Sequence, residues 1–220
     1  MRLVQDLSSS QIEYLPDLDL LVFEQNLKGT AGHSIPTAAG QLDGAPVLGY
    51  VFPTTLETQD VGFGEVDGIV ALAVTSHPDF DDTPLWDENS DSQYDNDGEV
   101  FHSHWVVLTA DDRVAGGLSV KQFEPEDSAV VMPPTNPGMP MYLDSPGFPV
   151  RLEGNRLSVL VPAQQINGKT DFNYDAVTAY MQVNTSDTSH PLLGVYEVYD
   201  VLSADLSLPF SVENAQEKSR

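Results

Sequence analysis

"EVFHSHWVVL", residues 99–108, decides how the chain reads. It is apolar, β-branched and aromatic, as a strand is. Strand alternation puts Val100, His102, His104, Val106 and Leu108 on one face. Phe101, Ser103, Trp105, Val107 and Thr109 take the other. Both imidazoles therefore point the same way, with backbone positions about 6–7 Å apart. His-x-His on one strand face is a spacing at which two ring nitrogens can converge on one ion.

The preceding apolar run, "VDGIVALAVTSHP" (66–78), is a second strand bounded by Gly68 and Pro78, and it ends at His77. Sequential strands tend to be spatial neighbours. Antiparallel pairing of the two runs puts His77 near residue 100, within reach of His102. A one-residue slip turns it to the opposite face, so sequence alone leaves the third histidine open.

Further strands read at 18–27, 45–56, 118–123, 175–185 and 193–203. "VRLEGNRLSVLVP" (150–162) reads as a hairpin turning at Gly154-Asn155. Residues 1–17 read as an irregular lead-in, and 124–149 as a Pro/Met-rich loop with a short strand near 129–132. Residues 213–220 form a polar tail. Helical periodicity is nearly absent. The expected fold is all-β: a single antiparallel β-sandwich, jelly-roll or immunoglobulin-like, with long loops and little helix.

Composition limits the chemistry. Cysteine is absent, which excludes disulfides, thiolate zinc sites and blue-copper centres. The formal net charge is −25, and no Lys or Arg lies between Lys28 and Arg113. Such a surface repels nucleic acid and anionic membranes and attracts cations. A salt-adapted organism would also produce this acidity. No run is long enough to span a membrane, and no leader is visible at the start. The expected setting is periplasmic or secreted, with the cytoplasm of a salt-adapted organism as the alternative.

The loop 79–99, "DFDDTPLWDENSDSQYDNDGE", holds nine acidic residues. A connection this long in a compact domain calls for a role. Asp87, Asn89, Asp91, Asp95 and Asp97 resemble fragments of a calcium loop but lack the EF-hand spacing of glycine and terminal glutamate. Met132, Met139 and Met141 form a second cluster, and thioethers suit soft ions such as Cu(I). The opposing reading is that these methionines fill gaps beneath a loop.

The sequence therefore points to a metal-binding protein rather than an enzyme. His102, His104 and His77 are its expected ligands, and Asp79, Glu99 or His33 completes the set. The expected ion is copper, with zinc or iron as alternatives and calcium as a second ion. One alternative function is a mononuclear metal enzyme using the same site. Another is a calcium-stabilised module that binds glycans or proteins through Trp86, Tyr94, Trp105 and Tyr142. No nucleophile elbow, Walker loop or dinucleotide-binding glycine pattern occurs.

Overall fold

The computed structural model describes residues 5–35, 42–77, 87, 92–93 and 100–215. Among these, the first five strands are β1 (Leu7–Leu15), β2 (Leu20–Leu27), β3 (Pro46–Pro53), β4 (Ile69–Ser76) and β5 (His102–Ala110). They are followed by β6 (Leu118–Val120), β7 (Leu143–Asp144), β8 (Val150–Glu153), β9 (Arg156–Pro162) and β10 (Asn173–Tyr174). The last are β11 (Val177–Val183), β12 (Leu193–Val201), β13 (Phe210–Ser211) and β14 (Glu213–Asn214). Two single 3-10 turns, Thr58–Val61 and Ala163–Ile166, are the helical elements among the described residues.

The larger sheet runs β4-β3-β11-β12-β6-β5-β7, and β4 also pairs with β5. Six antiparallel strands thus close into a barrel, and β7 pairs with the same edge of β5 as β6, nearer the His102 end. The second sheet runs β14-β1-β2-β9-β8. The all-β, antiparallel character is as expected, but the two open sheets of a simple sandwich are not what forms. One sheet is closed on itself and the other lies against its wall. Two bulges in the β11–β12 ladder, at Thr178/Ala179 and Tyr180/Met181, add the local bend that closure needs.

This layering explains why β4 and β5 are buried on both faces. Their inward residues, Ala71, Ala73, Val106 and Leu108, line the barrel interior with Val51, Met181 and Val195. Their outward residues, Leu72, Val74, Trp105 and Val107, meet Ile12, Phe23, Leu157 and Val159 of the second sheet. Phe23 anchors this outer core. It lies edge-on to Phe52 at 5.4 Å and to Trp105 at 6.4 Å between ring centroids. Gln25, fully buried on β2, donates from Nε2 to the carbonyl of Val51 on β3 (2.8 Å), joining the layers by a hydrogen bond.

Several local expectations change. Residues 7–15, read as part of an irregular lead-in, form β1. The serine-rich sequence hides this because only one face, with Leu7 and Ile12, is buried. No strand forms at 129–132. The 124–149 segment instead contributes the two-residue β7, pairing Leu143 with Val106 and Asp144 with Trp105. The start of the tail pairs with β1 in parallel as β14, Glu213 opposite Glu13.

Candidate metal centre

The β4–β5 register fixes the histidines. Thr75 lies opposite His102 and Ala73 opposite His104. Continued by two residues, this ladder carries His77 past the strand end to the level of Val100. All three histidines face inward at one end of the barrel and are buried, at 2–4% exposure. Ring centroids are 4.6 Å apart for His77–His102 and His102–His104, and 5.8 Å for His77–His104. One ligand nitrogen from each ring lies within 4.8 Å of the other two. Nε2 of His77 and Nε2 of His102 are 2.9 Å apart. Two nitrogens this close can share one ion at bond lengths of about 2.0–2.1 Å.

The backbone orients the rings. Nδ1 of His102 donates to the carbonyl of Val100 (2.6 Å), which fixes the tautomer and turns the Nε2 lone pair toward His77. Nδ1 of His104 lies 3.0 Å from Oγ of Ser145, the residue next to β7. Hydrogen bonds on the outer ring nitrogen are the usual support for metal-ligating imidazoles.

Burial, reinforced by His102 and then His77, holds the His104 pKa well below the ordinary imidazole value. A backbone hydrogen bond with Asp144 opposes this weakly. His104 is therefore neutral at pH 7, the form that binds metal. The donor set is entirely imidazole, which suits Zn, Cu, Fe and Ni.

The other expected site residues are placed as follows. His33 is exposed in a turn, its N–H donating to Thr30, and stands outside the three-histidine group. Asp79, Glu99, Asn89, Asp91, Asp95 and Asp97, with Trp86 and Tyr94, lie outside the described residues. Asp87 accepts a hydrogen bond from the Ser92 N–H (2.9 Å) and shares with His102, Phe148 and Pro149 a surface depression of about 320 Å³.

The three methionines divide between the two cores. Met132 packs against the outer core, Met141 is buried in the barrel interior, and Met139, partly buried, packs against the same interior cluster. Their positions are those of gap-filling side chains. Trp105 and Tyr142, offered as contact aromatics, are buried. Ser145 and the Val100 carbonyl were missed, because hydrogen bonds to a ring's outer nitrogen leave no mark in residue spacing.

The site adjoins a partly open cavity of about 290 Å³ bordered by His77 and His104. Comparison with known proteins returns no match: no family model, no curated protein and no solved structure. The site must therefore be read from its own chemistry.

Proposed function

We propose that this is a metal-binding protein whose His77, His102 and His104 hold one transition-metal ion, Cu(II) or Zn(II). The carrying observation is the convergence of three buried imidazoles from two adjacent strands. Three buried rings without an ion make a poor structural core, because protonating any one places charge in a dry site beside two others. An ion replaces those protons and binds one nitrogen of each ring. The separation of the methionines favours these borderline divalent ions over Cu(I). The acidic, cysteine-free composition suits a periplasmic or secreted setting, which belongs to this proposal.

One observation favours a mononuclear metal enzyme as the second reading. Three nitrogen ligands leave a coordination position open, as in catalytic zinc sites. His77 and His104 also border a cavity instead of solid core. An ion held here would act as a Lewis acid toward whatever the cavity admits. The chain's own part is to fix the rings through Val100 and Ser145 and to exclude bulk water.

The test is titration of metal-free protein with Cu²⁺ and Zn²⁺, read by calorimetry. One ion per chain is expected, with affinity reduced at least 100-fold in His102→Ala/His104→Ala. Equal affinity in parent and variant would remove the proposal.

A further inference from the structure

The barrel interior beside the histidines is not filled. Its cavity of about 290 Å³ is walled by Val51, Val106, Val177, Ala179, Met181 and Val195, among others. Polar side chains at its edge, among the described residues, are Thr75, His77, His104 and Asp205. Protein interiors ordinarily leave few voids larger than a water molecule. A dry apolar cavity of about 150 Å³ already accepts benzene, so this one has room for roughly twice that volume. Small residues keep it open: Ala73 and Ala179 stand where larger side chains would close it.

The cavity wall is not uniform. His77 lies one residue past the end of β4, with His102 and His104 opposite Thr75 and Ala73. Val51, Val177 and Val201, aligned across β3, β11 and β12, carry the wall on around the barrel from Ala73 and His104. There the wall is continued by Ala204, Asp205 and Leu206. Ala204 (φ 72°) and Leu206 (φ 57°) both adopt left-handed backbone, as does Leu208 (φ 53°) in the same loop. Non-glycine residues hold this conformation only where their surroundings enforce it. Leu206 is seated against the interior core, whereas Ala204, Asp205 and Val198 are exposed, so the strained loop borders the mouth of the cavity.

From this geometry we infer that the barrel interior is a binding site for one small, neutral, apolar molecule of one- or two-ring size, seated between the histidine cluster and the Ala204–Leu206 loop. The wall offers contact area and almost no hydrogen bonding, so it selects by volume and apolarity. If the three histidines hold an ion, as proposed above, the ligand lies beside its open position. The binding itself needs no metal.

Methionine methyl groups report the test directly in the unmodified sequence. Met141 and Met181 line the cavity, while Met132 packs against the other core. Metal-free full-length protein carrying ¹³C-methyl methionine would be titrated with naphthalene, the resonances assigned by single Met→Leu variants. The expected result is saturable, one-site ring-current shifts of the Met141 and Met181 methyls, with Met132 unmoved. Ala179→Phe, which fills the cavity, should weaken binding at least tenfold. His102→Ala, which removes a proposed metal ligand outside the cavity lining, should retain it, so a failed metal site and a failed cavity site give different outcomes. Absence of shifts at Met141 and Met181 up to the solubility limit of naphthalene overturns the inference, as do linear shifts shared equally by Met132.

Discussion

Trp105 offers a test of the layered barrel that is independent of any ion. It lies on the histidine strand with its side chain on the opposite face, and it is 1% exposed. Its ring is edge-on to Phe23 and to Phe148, each at 6.4 Å. Trp105→Ala removes a fully buried indole and leaves a void that Phe23 and Phe148 cannot close without leaving their own partners. Such truncations cost about 3–5 kcal/mol. At roughly 2–4 °C per kcal/mol for a chain of this size, the melting temperature should fall by about 6–20 °C. Urea unfolding of metal-free protein, followed by circular dichroism, measures the loss. Where the variant remains folded, its affinity for Cu²⁺ should stay within about threefold of the parent. A loss below about 1 kcal/mol would show that the outward face of β5 is not buried against the second sheet. The layering described here would then be wrong.

Three further outcomes follow from the same physics. His104 is held below the ordinary imidazole pKa by burial and by His102 and His77. The unfolded chain therefore takes up its proton first as pH drops below about 6.5, and metal-free protein should lose stability from there downward. His104→Gln should flatten that part of the parent curve in denaturant titrations at pH 7, 6 and 5, and parallel curves would contradict it. Zn²⁺ at 100 times its Kd should stabilise the parent by about 2.7 kcal/mol, or about 5–11 °C in thermal scans, and should not stabilise His102→Ala/His104→Ala. Asp43 accepts hydrogen bonds from the Ser186 hydroxyl and the Thr185 and Ser186 N–H groups, which lower its pKa to about 2. Its stabilisation is present above pH 4 and is lost as pH falls toward 2, so the stability difference between parent and Asp43→Asn should vanish over that range.

Much of the site was legible because strand alternation is strict. Residues 100–108 sort onto two faces by their period of two, and the structure sorts them the same way. The reach of His77 depended on the 69–76 and 102–110 strands being neighbours, the commonest arrangement of sequential strands. Closure of the barrel was not legible. It rests on long-range pairings such as the single Gly194–Ser119 contact between β12 and β6, and on bulges in β11–β12. None of these has a local pattern. β1 was hidden because serines and a glutamine occupy most of its early positions, and only tertiary pairing with β2 makes it a strand. The cavity was invisible for a related reason: valines and alanines read as core wherever they occur, and only the closed geometry shows that they fail to meet.

The central claim is that the histidines of two neighbouring strands share one ion. Crystals grown with Cu²⁺ or Zn²⁺, with anomalous data collected on both sides of the metal edge, test it most directly. The account predicts a single strong peak inside the barrel end, about 2.0–2.1 Å from one imidazole nitrogen each of His77, His102 and His104. A peak elsewhere, a peak touching fewer than all three rings, or no peak at saturating metal would contradict it.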